Sequence, residues 1–312
     1  MSHPDIAYLF PGQGSQHLGM GQELAELSPE ARTIFQQADE ALGFGLSSLC
    51  WHGPEEDLNE TLNTQPALLT ASIAAFAVMQ ARGMGKPAFV AGHSVGEFGA
   101  LVAAGALSFE DGLRIVRERG RLMQDAGSRN PGAMAAILGL DAPAVESICQ
   151  DAQREVGGVV GIANDNCPGQ LVISGSLNTL ERAMSLAEKH GARRVIRLAV
   201  SIAAHSPLMS EAADLFSEVL SSFPLQSPGI PLVANATAEP LESPQQIQEA
   251  LRRQLTSPVR WNESINWMIG QGVRRFIEVG PKDVLTGLMK RIDSSVERLT
   301  TEQALQHSTT SA

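Results

Sequence analysis

The stretch with the clearest chemical potential is AFVAGHSVGEFGALV, residues 88–102. Within it, Gly92-His93-Ser94-Val95-Gly96 fits G-x-S-x-G. A serine hydroxyl is a weak nucleophile until a base takes its proton. This pattern sets it on a sharp turn between a strand and a helix. Glycine on both sides lets a strained backbone pass close to its neighbours. The helix N-terminus behind Ser94 favours negative charge developing there. The competing reading is a serine that only caps a helix. The strand AFVAG before it and the helix after it favour the nucleophile.

Ser94 needs a general base. The histidines are His3, His17, His52, His93, His190, His205 and His307. His3 and His307 lie near the ends of the chain, and His190 lies in a polar helix end, EKHG. His93 adjoins the serine, but so tight a turn points it elsewhere. His205, in VSIAAHSPLM, is expected to leave a strand just before a helix, on the side of a parallel sheet where sites collect. It is the candidate base, weighed against a satisfied structural histidine.

The elements that would position these groups follow from the apolar spacing. DIAYLF reads as a short buried strand stopped by PGQGSQ. MGQELAELSPEARTIFQQADEAL carries helical spacing with a break at Ser28-Pro29. TQPALLTASIAAFAVMQARG is a helix apolar nearly all round, as a buried helix is. KPAFVAG is a strand, SVGEFGALVAAGAL its helix, and SFEDGLRIVRERGRLMQDAG a further helix capped by Ser108. From 131 to 200 the order is strand–helix–strand–strand–helix–strand, that of a ferredoxin-like unit, with Asp141 starting its first helix and ARRVIRLAVS as its last strand. After it, strands at IPLVAN and RRFIEVG alternate with helices. The expected fold is α/β: a hydrolase-like core with a mostly parallel sheet covered by helices, plus an inserted ferredoxin-like subdomain. Residues 1–130 and 201–300 form the large subdomain, 131–200 the small one, and 301–312 a flexible polar tail.

Composition narrows the class. Of 312 residues, 43% are hydrophobic and 18% charged, which suits a large core and not a disordered chain. The net charge of -11 argues against nucleic-acid binding through the overall field. Arginines cluster at 114, 117, 119 and 121, at 193, 194 and 197, and at 252 and 253; solvated helix faces account for most such clusters. Cys50, Cys149 and Cys167 are odd in number and widely spaced, which fits a reducing compartment better than a disulfide framework or a zinc site. No signal peptide and no apolar stretch long enough to span a membrane is expected, so a cytoplasmic location follows.

Eight segments in order resemble the malonyl-CoA:acyl carrier protein transacylase family and the related acyltransferase domains of polyketide synthases. They are FPGQGSQ (10–16), TQPAL (64–68), GHSVGE (92–97), RGRLMQ (119–124), GAMAAILGL (132–140), VSIAAHSPLM (200–209), SPVRW (257–261) and EVGPKDVLTGLMKR (278–291). The resemblance implies the same two-part fold. It implies that Ser94 is acylated with His205 as its base, and that the main-chain carbonyl of Gln254 orients that base. It also implies that the backbone N–H groups of Gln13 and Val95 form the oxyanion hole, and that Arg119 grips the malonyl carboxylate. No metal or cofactor is implied, with the CoA thioester as substrate, an acyl carrier protein as partner and a monomer as the working unit.

Arg193, Arg194, Arg197, Lys282, Lys290 and Arg291 are candidates for docking an acidic carrier protein. Ala204 is smaller than the Phe or Ser common before this histidine, which leaves room for methylmalonyl or another branched unit. GPKDVL stands where G-P-G-x-V-L is usual. The same motifs also fit a trans-acting polyketide-synthase acyltransferase, a malonate decarboxylase-associated transferase or an editing thioester hydrolase. A non-catalytic scaffold that binds a carrier protein has no use for Ser94, His205 and Arg119 together.

Overall fold

The computed structural model describes residues 2–310. Ten strands fall into two sheets. In chain order they are β1 (Ser2–Phe10), β2 (Lys86–Gly92), β3 (Gly132–Leu138), β4 (Val160–Cys167), β5 (Gln170–Ser176), β6 (Arg194–Arg197), β7 (Leu232–Val233), β8 (Pro240–Leu241), β9 (Arg275–Glu278) and β10 (Glu297–Thr300). The large sheet runs β10-β9-β1-β2-β7-β8, parallel except for the short β7–β8 pair. β1 shows why this sheet is covered on both faces. Ile6, Tyr8 and Phe10 enter one core while Ala7 and Leu9 enter the other. A strand with both faces buried reads as a continuous apolar run, as DIAYLF does.

The small sheet runs β4-β5-β3-β6, all antiparallel, which is the ferredoxin-like order for its four strands. Two helices, Ala142–Val156 and Leu177–Lys189, pack on one face through Ile148, Leu180 and Ala183. Met134 and Val172, on the other face, join the core of the large part. The two parts are also stitched by backbone: Asp165 N donates to Val259 O (2.9 Å), and Val259 N to Ala163 O (2.8 Å).

Capping matches the sequence reading at Ser108 and Asp141, whose side chains accept from Asp111 N and Ala144 N. The break at Ser28-Pro29 is a true boundary between helices Gln22–Leu27 and Pro29–Leu42. Three expectations need correction, and one stretch went unread. The strand before His205 ends at Arg197, so His205 sits in a loop, reached from the edge of the antiparallel sheet and not from a parallel strand. Residues 46–59 hold two short helices, Leu46–His52 and Glu55–Asn59, that no periodicity announced.

The helix Thr61–Ala81 is long and apolar enough by composition to cross a membrane. It is mostly buried here and packs in the main core, because its alanines and small hydroxyls admit neighbours on every side. Finally, the polar tail is ordered through residue 310 as helix Thr301–Thr310. Thr300 and Gln303 cap it reciprocally: Gln303 N donates to Thr300 Oγ1 (3.3 Å) and Thr300 N to Gln303 Oε1 (3.0 Å). Ala304 is buried beneath it. Residues 311 and 312 of the expected tail lie outside the described residues.

Candidate active site

Four parallel strands deliver the site from their carboxyl ends. β1 leads into Pro11-Gly12-Gln13-Gly14, β2 into His93-Ser94, β7 into Asn235 and β9 into Gly280-Pro281-Lys282. This is where open parallel sheets place their ligands. The turn after β2 is held by two close approaches. A Cβ on Gly92 would lie 2.0 Å from the Gly96 carbonyl, and one on Gly96 would lie 2.1 Å from Phe10 O. Both glycines are therefore required by space. The strain falls on Ser94 itself, whose φ is 52°. A left-handed serine costs roughly 1–3 kcal/mol and persists only where its surroundings over-determine it.

Asn235 supplies much of that determination. Its Oδ1 accepts from Ser94 N (2.7 Å), and its Nδ2 donates to Gly92 O (2.6 Å). The sequence reading missed this residue. Its only sequence signal is its place at the end of a short apolar strand.

Ser94 Oγ lies 2.9 Å from His205 Nε2. His205 is also left-handed, with φ 57°. Its Nδ1 donates to Gln254 O (2.8 Å) and Ser257 O (3.2 Å). Carbonyls only accept, so the proton sits on Nδ1 and Nε2 is free to accept from the serine. Burial and the nearby Arg119 charge push the imidazole pKa down to about 3. The ring is thus a neutral base across the physiological range. A carbonyl pair does the orienting that a carboxylate does in other triads.

Arg119 is 1% exposed. It sits on the buried stripe of helix Phe109–Arg129, between Ile115 and Val116 on one turn and Leu122 and Met123 on the next. Gly120, beside it, lets that helix meet Thr61 O, 2.7 Å from where a Cβ would be. The other arginines of the cluster do face outward or sideways. Arg114 and Arg121 pair with half-buried acids of their own helix, and Arg117 lies 4.4 Å from the Phe44 ring centre.

Arg119 Nη1 donates to Gln65 Oε1 (2.9 Å) and Nη2 to Gln254 Oε1 (2.8 Å). Nη2 also reaches Ser94 Oγ at 3.4 Å. Its buried Nε has no partner among the described residues. The guanidinium therefore stands at the Ser94 hydroxyl with donor capacity to spare. Burial lowers its pKa to about 10, and it stays charged.

Gln254 joins these groups. Its carbonyl orients His205, its Oε1 takes Arg119, and its Nε2 donates to Ser94 O (3.0 Å) and to Glu97 Oε2. Glu97 is buried, and its Oε1 accepts from Asn235 N (3.2 Å). Burial pushes its carboxyl up to about 7 against the pull of these donors and of Arg119. Gln65 and Glu97, inside TQPAL and GHSVGE, also went unassigned in the sequence reading.

His93 is turned away, as expected: its Nε2 meets Asn166 Oδ1 (2.8 Å) and its ring abuts Trp261. The loop carrying Gln13 lies against the turn that carries Ser94. His93 N donates to Phe10 O (2.9 Å), and a Cβ on Gly12 would lie 2.4 Å from His93 O. The N–H groups of Gln13 and Val95 have no acceptor among the described residues. Lys282 adopts φ 62° in the place where glycine is usual and donates from Nζ to Gly14 O (3.1 Å), so the departure from G-P-G ties two site loops together. Among the described residues no cluster of three or more His, Cys, Asp or Glu could hold a metal ion.

The acyl transferase domain family matches residues 7–306. The chain belongs to this family. The acyltransferase is 48% identical over 294 residues to the malonyl CoA-acyl carrier protein transacylase of Bacillus subtilis, covering 94% of this chain and 92% of that one. It is 45% identical over 287 residues to the protein of that name from Escherichia coli, covering 92% of each. Its structure is similar to that of a malonyl CoA-acyl carrier protein transacylase from Coxiella burnetii, with a TM-score of 0.95 at 44% identity over 98% of this chain and 97% of that one. A malonyl-transacylase solved in complex with a polyketide acyl-carrier protein superposes with a TM-score of 0.94 at 41% identity, covering 97% and 99%.

Proposed function

We propose that the acyltransferase moves a malonyl group from CoA to the phosphopantetheine thiol of an acyl carrier protein, through an ester on Ser94. One observation carries this reading: Ser94 Oγ lies 2.9 Å from a neutral, oriented His205 Nε2 and 3.4 Å from Arg119 Nη2. Nucleophile, base and a carboxylate-binding cation thus meet at one oxygen.

His205 Nε2 takes the Oγ proton as Ser94 attacks the thioester carbonyl. Negative charge develops on the carbonyl oxygen, which the Gln13 and Val95 N–H groups receive. Each such donor is worth roughly 3 kcal/mol in the transition state. The C–S bond breaks, and His205 returns its proton to the leaving CoA sulfur. The carrier's thiol then gives its proton to the same nitrogen and attacks the Ser94 ester. Collapse frees Oγ, which recovers that proton. No step calls for a metal or redox group. Arg119 meets the free malonyl carboxylate with a planar fork that an ammonium does not offer.

The carrier's approach is suggested by a basic corner. Arg193, exposed, lies against Gly139, and Arg291 reaches Pro168 O (2.7 Å) and Gln170 Oε1 (2.9 Å). Pro168 is two residues past Asn166, which holds His93 beside the nucleophile. Arg194 and Lys290 are exposed next to them. Arg197 is paired with the Glu181 carboxylate and so drops out of the expected patch, whereas Lys282, like Arg291, bonds only neutral oxygen and keeps its net charge. An acidic chain thus keeps a local positive rim near its site.

Intact mass after incubation with malonyl-CoA tests the acyl-enzyme. The expected result is one malonyl adduct on the wild type and none on Ser94→Ala. A wild type that forms no adduct while still turning over refutes the ester.

A further inference from the structure

Glu97 is a buried carboxylate that the proposed cycle does not use. Its position is defined by two donors of different kinds. Asn235 N is a main-chain group that cannot be turned over, and it donates to Glu97 Oε1 at 3.2 Å. Gln254 Nε2 belongs to an amide that can be turned over, and it donates to Glu97 Oε2. Which way that amide faces decides what Arg119 meets. Gln254 presents Nε2 to Glu97 and to Ser94 O, and Oε1 to Arg119 Nη2 at 2.8 Å. Reversed, it would set an amide N–H against the guanidinium, donor against donor.

We infer that Glu97 is a positioning residue for Arg119, fixing the Gln254 amide and so setting the preference for a carboxylated acyl group. The inference rests on the reading of Arg119 as the carboxylate's partner. In its ionised form, which prevails above its raised pKa of about 7, Glu97 only accepts, so both of its oxygens suit N–H donors. Together with Ser94 O, which also accepts from Gln254 Nε2 (3.0 Å), it admits one Gln254 orientation. The rates are therefore compared about two pH units above that pKa. An amide of the same size at position 97 breaks this logic. Its oxygen has to face the immovable Asn235 N–H. Its NH2 then faces Gln254 and draws Oε1 toward itself. The Gln254 NH2 is then held by Ser94 O alone, and each time it turns to Arg119 the guanidinium loses its acceptor and shifts.

The test compares acylation by malonyl-CoA and acetyl-CoA, which differ by the carboxylate, in wild type, Glu97→Gln, Glu97→Asp and Arg119→Ala. Circular dichroism melting accompanies each to register folding. In Glu97→Gln the malonyl-to-acetyl ratio of kcat/KM is expected to fall about 10- to 100-fold, the span of one or two lost contacts at roughly tenfold each. Glu97→Asp, which keeps an acceptor-only group, is expected to hold the ratio within about threefold even if both rates drop. A role in folding alone would lower both substrates together in every variant. If Arg119→Ala collapses the ratio while Glu97→Gln leaves it in place, the role of Glu97 is overturned and that of Arg119 stands. If Arg119→Ala leaves the ratio in place, both are overturned.

Discussion

Gly96→Ala isolates the mechanical basis of the site. The added methyl would lie 2.1 Å from Phe10 O and 2.8 Å from Pro11 O. Both are backbone atoms, so no side chain can swing aside. Contacts of this kind do not persist under 3.0 Å, so the turn after β2 and the loop after β1 must part by about 1 Å, and a misplacement of that size costs on the order of 100-fold in rate. That separation falls between Ser94 on one side and Gln13 on the other. It also strains the His93 N to Phe10 O bond of 2.9 Å. Overpacking of this kind costs roughly 1–3 kcal/mol of stability, or several degrees of melting temperature.

Stopped-flow acylation by malonyl-CoA and thermal melting measure the two effects. Gly287→Ala is the control: nothing lies within 4 Å of its added methyl, and it sits inside helix Val284–Ile292. It is expected to be neutral or slightly stabilising. A Gly96→Ala protein that acylates and melts like the wild type refutes the argument that the nucleophile turn and the Gln13 loop are set by this backbone contact.

Two further outcomes follow from the same geometry. His205 has its pKa lowered to about 3 from an ordinary 6.5, so on acidification the unfolded chain takes up this proton before the native one does. Stability from this group is present above 6.5 and lost as pH falls toward 3. Relative to wild type, His205→Asn is therefore expected to gain about 2 kcal/mol between pH 6.5 and 5, in urea titrations at each pH; a difference that stays constant with pH refutes the buried neutral imidazole. Reversing charge at Arg193 and Arg194 together is expected to raise the apparent KM for the carrier protein roughly tenfold and leave malonyl-CoA kinetics nearly unchanged, and equal effects on both half-reactions would remove this corner as the docking rim.

Much of this protein was legible in local pattern. DIAYLF and KPAFVAG read as buried strands because a parallel strand is apolar on both faces. G-x-S-x-G read as a sharp strand-to-helix turn because only glycine permits the close backbone approaches that occur at Gly92 and Gly96. Other signals were present but unread. Thr300-x-x-Gln303 is a reciprocal cap, and it ordered a segment that polarity alone marked as a tail. Helical spacing also put Arg119, alone of its cluster, on the apolar stripe.

What the sequence by itself determined, then, is what depends on neighbours in the chain: element type, the tight turn at Ser94, the two-part layout. Tertiary structure alone decided the partnerships. Ser94 and His205 meet across 111 positions, Arg119 and Gln254 across 135, and Ser94 and Asn235 across 141. A buried donor must find an acceptor wherever the fold brings one, and no local periodicity encodes which residue that is. For that reason Glu97, Gln65 and Asn235 emerged only once the chain had closed around Ser94.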